Sequence, residues 1–202
     1  MNRRSSRKAF AAAFTLIELM IVVALIAVIV ALAAPSFRDM ILMQRLRGIN
    51  AQLVTDLALA RSEAISRGVF VGVRIQAGSG GMSCYIINTR TTLDAPLCDC
   101  TAPAGSRCLV ANATQTTEVR TVQIPTDMVV LLGIGQAADN FTFDPRTGGM
   151  KLAPSDFGRY DTSGFQVETY IDTARKLRTA VSLSGRLTVC TPTGSGIGGS
   201  PC

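Results

Sequence analysis

One stretch constrains the fold of this chain more than any other: Phe14 to Ala34, FTLIELMIVVALIAVIVALAA, with a single ionisable residue, Glu18. At about 1.5 Å of rise per residue, a helix of this length crosses a bilayer core of roughly 30 Å. A carboxylate inside such a segment costs on the order of 2.5 to 3.5 kcal/mol on insertion scales, so it calls for a partner. A cleaved secretory signal would explain the basic start (Arg3, Arg4, Arg7 and Lys8) and the small residues Ala31-Leu32-Ala33. The run is nevertheless longer than an ordinary signal core of roughly 7 to 15 residues, and Glu18 lies within it. A plain anchor explains length and basic flank under the positive-inside rule, yet leaves Glu18 without a purpose.

Ala13-Phe14-Thr15-Leu16-Ile17-Glu18-Leu19, behind a short basic leader and opening an apolar helix, resembles the class III signal of type IV prepilins and type II secretion pseudopilins. The resemblance implies a leader of residues 1–13, cut before Phe14 by a prepilin peptidase, and methylation of the new amine. It also implies that Glu18 docks the subunit into a filament. Ala13 stands where the family has glycine, and remains small.

Composition acquires its meaning once the leader is set aside. Four of the twenty Lys and Arg lie in residues 1–13, leaving sixteen against fourteen acids, so the formal charge of +6 falls to +2. The basic excess is then weak support for a nucleic-acid partner. His is absent, which removes the commonest general base and metal ligand. The six cysteines Cys84, Cys98, Cys100, Cys108, Cys190 and Cys202 agree with an oxidising compartment and disulfides. An eleven-residue, glycine-rich spacer between Cys190 and Cys202 closes without strain, which predicts that pair. The other four can combine in three ways. Cys98-Asp99-Cys100 with Cys108 fits no standard zinc spacing, and Gly78-Ser79-Gly80-Gly81 is too short for a phosphate loop. Neither an enzyme, a metal site nor a cofactor is expected.

Pro35 should kink the helix rather than end it, because apolar periodicity resumes at Leu42, Leu46, Ile49, Leu53, Ala60 and Ala64. Gln44, Arg45, Gln52, Asp56, Arg61 and Glu63 take the other positions, and Gly68 suits the C-terminal cap. The chain thus divides into an apolar half-helix over 14–35, an amphipathic half over 36–68, a β-rich domain over 69–190 and a flexible tail over 191–202. Strands are predicted at Val69–Gln76, Met82–Asn88, Glu118–Ile124, Met128–Leu132, Asn140–Phe143, Gly164–Ile171, Lys176–Leu183 and Arg186–Cys190. Between the second and third lies a long stapled loop. The fold class is α+β, with small antiparallel sheets laid on the helix.

Pro35-Ser36-Phe37-Arg38, Arg61-Ser62-Glu63-Ala64-Ile65 with Gly68, the Phe143 to Gly148 turn, and Ser184-Gly185-Arg186 leading to Cys190 resemble the FimT and FimU minor pilins and pseudopilin H of type II secretion. The resemblance implies the type IV pilin fold and a structural subunit that primes or caps a pilus. Its partners would be other minor and major pilins, the prepilin peptidase, an inner-membrane assembly platform and, before assembly, lipid. Its place would be the inner membrane, crossed once, with the C-terminal domain in the periplasm, and then the filament. Pseudopilin H of a secretion system is one alternative. DNA capture is the other: FimT-type pilins that take up DNA carry Gly-Arg-x-Arg, and this chain has Gly185, Arg186, Leu187 and Thr188, lacking the second arginine. Arg175, Lys176 and Arg178 are the further candidate DNA contacts, with a solvated edge strand as their plain explanation.

Overall fold

In the computed structural model the described residues are 15–109, 115–134, 140–151 and 164–202, so the processing residues Ala13 and Phe14 lie outside them. The chain divides into two units, Met1–Ile41 and Leu42–Cys202. One helix, α1 (Leu16–Arg67), supplies the described part of the first unit and opens the second, and it is helical through Pro35.

In the first unit α1 begins on an N-cap, Thr15. The Thr15 hydroxyl accepts the Glu18 N–H at 3.3 Å, and Glu18 lies three residues on, where its charge also complements the helix dipole. From Leu16 to Ile41 the large apolar side chains are exposed on every side.

In the second unit α1 turns a buried stripe inward: Leu46, Asn50, Leu53, Leu57, Ala60 and Ala64 follow at alternating steps of four and three, with Asp56 beside them. Gly68, at φ 65°, supplies the left-handed residue that ends the helix. Among the described residues nine strands follow: β1 (Phe70–Ser79), β2 (Met82–Arg90), β3 (Thr116–Pro125), β4 (Val130–Ile134), β5 (Asn140–Phe143), β6 (Met150–Lys151), β7 (Phe165–Tyr170), β8 (Lys176–Val181) and β9 (Leu187–Cys190). They form two antiparallel sheets, ordered β3-β2-β1-β5-β6 and β4-β7-β8-β9. The β1–β2 hairpin is tighter than the glycine-rich sequence suggests. Ser79 pairs with Met82 across Gly80 and Gly81, both at positive φ, a two-residue turn that only glycine-like residues enter cheaply.

The main core joins α1 to both sheets, with Val71, Val73, Tyr85 and Ile87 from the larger sheet and Phe165, Val167 and Val181 from the smaller. Phe141 bridges Phe143 and Phe165 at ring-centroid distances of 5.2 and 4.5 Å. The other face of β2 has its own small core, Cys84 and Ile86 beneath Cys98 and Cys100. The stapled loop thus folds back over the sheet, which is why β2 is buried on both faces.

The disulfides are Cys84–Cys100, Cys98–Cys108 and Cys190–Cys202. The expectation of a flexible tail is corrected. Ile197 is buried in the main core, the Ser195 hydroxyl donates to the Ala174 and Lys176 carbonyls, and Thr191 bridges to Pro201. An apolar anchor in mid-tail and a disulfide at its end outweigh the chain entropy of the glycines around them.

Candidate functional site

Two kinds of polar group sit on α1, and their surroundings differ. Asp56 is 2% exposed and accepts the Tyr85 hydroxyl at 2.6 Å, while the Arg120 guanidinium lies 2.9 Å from the same oxygen. These contacts fasten α1 to β2 and β3. Burial, then the hydrogen bond to Asp56 and its negative charge, push the Tyr85 phenol well above its usual range. Asn50, six residues earlier, fastens the smaller sheet: its Oδ1 accepts the hydroxyls of Thr169 at 3.1 Å and Thr179 at 2.9 Å. Sequence reasoning placed Asp56 among the outward positions. That is corrected, because Asp56 meets the buried Tyr85 hydroxyl and the more exposed Arg120 guanidinium, two donors that make its burial tolerable. The missed signal was spacing, since Asn50 falls on the apolar stripe and Asp56 directly flanks Leu57.

Arg61 makes the third anchor, and here distant sequence landmarks converge. Its guanidinium donates to the Gly185 carbonyl at 3.1 Å and the Ser184 carbonyl at 3.3 Å. Gly185, at φ 77°, backs onto the turn at Gly148 so closely that an added Cβ would stand 2.1 Å from the Gly148 oxygen. Helix end, Asp144–Gly148 turn and β8–β9 turn are therefore one joint, and Arg61 is no mere solvated face. Within that joint burial opposes ionisation of Asp144. The N–H groups of Arg146 and Thr147 and the Lys151 ammonium outweigh it, holding the carboxyl below its usual range. Beside the joint a cavity of about 350 Å³ opens among Ala58, Arg61, Ser62, Ile65, Arg186 and Leu187.

Of the candidate DNA contacts, Arg175 is engaged by Asp172 at 2.5 Å and Arg178 by Glu168 at 2.7 Å. The Arg175 side chain, reinforced by the Ala174 and Arg175 N–H groups against slight burial, holds the Asp172 carboxyl below its usual range. Arg186 is exposed in the β8–β9 turn, next to the Val181 end of β8, whereas Lys176 starts that strand. At about 3.3 Å per residue they are roughly 20 Å apart along the strand. The four cations are not gathered into one patch.

Glu18 is exposed on the first unit, without an ion pair among the described residues. All six cysteines are consumed in disulfides, so none is free to bind a metal.

A family model described as "Type II transport protein GspH" matches residues 50–197. Two crystal structures of the type IV minor pilin FimU from Pseudomonas aeruginosa strain PAO1 are similar to this chain. The first has a TM-score of 0.41 and 16% identity, covering 72% of this chain and 90% of that one. The second, in another crystal form, has a TM-score of 0.42 and 16% identity, covering 73% and 87%. No curated protein sequence matches.

Proposed function

Because this chain belongs to the family of the type II transport protein GspH, we propose that it is a minor pilin, a structural subunit that primes or caps a type IV pilus. The observation that carries the reading is the apolar segment 16–34, whose large side chains are exposed on every side and whose one carboxylate, Glu18, lies near its start. Lipid covers such a surface before assembly, and the helices of other pilins cover it afterwards. Glu18 then finds its partner outside its own chain, for which the resemblance offers the methylated amine of Phe14 on a neighbouring subunit. The prepilin peptidase frees that amine, and the inner-membrane assembly platform moves the chain from the membrane, with its stapled domain in the periplasm, into the filament.

The description of the matching family favours a second reading, a pseudopilin of type II secretion. One experiment separates them. In a strain lacking the gene, the full-length chain restores pili and is recovered in sheared filaments, while Glu18→Ala restores neither. If deletion leaves pili intact and halts protein secretion, the secretion reading replaces the pilus. DNA capture has less support, since Arg175 and Arg178 are already neutralised within the chain. Duplex DNA should bind only in the non-specific range of about 10⁻⁴ to 10⁻⁶ M at physiological salt, as measured by anisotropy.

A further inference from the structure

The outer edge of β9 carries backbone groups that, among the described residues, are used at only one end. Ser182 N–H donates to the Arg186 carbonyl at 2.9 Å, which sets the alternation of the β8–β9 ladder. Thr188, paired with Ala180, and Cys190, paired with Arg178, therefore bond inward to β8. Leu187, Val189 and Thr191 direct their N–H and C=O groups away from the sheet. Thr191 shows what that edge accepts: its N–H donates to Ser200 at 2.8 Å and its carbonyl takes the Cys202 N–H at 3.1 Å. The tail is a short parallel strand laid on the edge and held there by Cys190–Cys202. At Leu187 and Val189 no such partner exists among the described residues.

The edge is also apolar where it is open. Val189 pairs with Thr179 and Leu187 with Val181, so both side chains share the helix-facing side of the sheet. Among the described residues no strand lies beyond them, and Val189 remains 42% exposed. The 350 Å³ cavity lies beside Leu187, with Ala58 and Ile65 of α1 as its opposite wall. Leu187-Thr188-Val189-Cys190 has no lysine, proline or bulge, the devices by which exposed edges avoid pairing. By contrast β3, an edge strand of the larger sheet, carries Glu118 and Arg120, ends at Pro125 and pairs through a bulge.

We propose that the edge of β9 at Leu187 and Val189 is an interaction surface that takes up an extended segment of a different filament subunit, one apolar side chain of which fills the cavity beside Leu187. The proposal rests on the filament reading above. The open window is about three residues, closed by the Gly185 turn at one end and the tail at the other, so the segment is short. Two copies of β9 laid edge to edge would set a turn or tail of one against the tail of the other, which excludes self-pairing.

Val189→Pro deletes an outward N–H and leaves the β8 ladder whole, so it tests the edge without dismantling the sheet. In the full-length chain it should keep the three disulfides and the unfolding midpoint while recovery in sheared filaments falls roughly five- to tenfold, as expected for one or two lost hydrogen bonds. Should Val189→Pro fold poorly, Val189→Lys gives the same readout through edge charge. A photo-crosslinking residue at position 189, activated in assembled filaments, should yield an adduct with another pilin. Normal recovery of a stably folded Val189 variant, or an adduct only with a second copy, overturns the proposal. If the unaltered chain is missing from filaments, the filament reading fails and takes the proposed partner with it.

Discussion

Glu18 and Asp56 are two carboxylates on the same helix, and the contrast between them separates assembly from folding. Asp56 is buried and has both its donors, Tyr85 and Arg120, within the domain. Glu18 is exposed among apolar residues, and among the described residues only its backbone is engaged, by Thr15. A charge satisfied inside the chain contributes to the stability of the fold. One left for another molecule to satisfy contributes to assembly, so the same residue chemistry serves two ends according to where its partner resides.

The sharpest break in that comparison comes from removing each carboxylate in turn. Asp56→Ala should lower the unfolding free energy by about 3 kcal/mol, because a buried hydroxyl and a guanidinium lose their acceptor together. Glu18→Ala should change it by less than about 0.5 kcal/mol while abolishing incorporation into filaments. Denaturant titration of the full-length chain in detergent checks the first, and shearing checks the second. Equal destabilisation by both would erase the distinction.

Tyr85→Phe sharpens it. Losing the 2.6 Å hydrogen bond to Asp56 should cost about 1 to 2 kcal/mol near neutral pH. The folded phenol has a raised pKa, so its contribution is complete below about pH 10, the unfolded value, and is lost as pH rises beyond it. Wild type and Tyr85→Phe should therefore converge in stability under alkali. A constant gap from pH 7 to 11 would exclude the phenol as the cause.

The smallest effect belongs to Asp172, a surface carboxylate paired with Arg175. Its folded pKa is lowered, so its contribution is present above the unfolded value of about 3.9 and disappears as pH falls through the folded one. Asp172→Asn should cost no more than about 0.5 kcal/mol at neutral pH and progressively less as the pH falls below the unfolded value, by the same titration.

Asn140–Phe143 is a strand in sequence and structure alike, because its aromatic and β-branched residues precede a turn sequence that admits little else. The sequence suggests a longer β1–β2 loop than the structure has: Ala77 to Ser79 look like turn residues, yet cross-strand pairing with β2 holds the strand to Ser79. The two-residue β6 carries no periodicity to read and exists through its pairing with β5. In the candidate site, Arg61, Gly148 and Gly185 stand out separately in the sequence, but their joint depends on a carbonyl being 3.1 Å from a guanidinium more than a hundred residues away.

The sequence by itself determined the apolar helix, the place of Glu18 near its start, the α+β class and the closeness of Cys190 to Cys202. These follow from local periodicity and short spacing. Only the tertiary structure decided that Cys84 bonds Cys100 and Cys98 bonds Cys108, that Asp56 is buried, and that Ile197 pins the tail. Each of those depends on which surfaces meet once the sheets close around the helix. Burial energy is settled between residues far apart along the chain, and no local pattern records it.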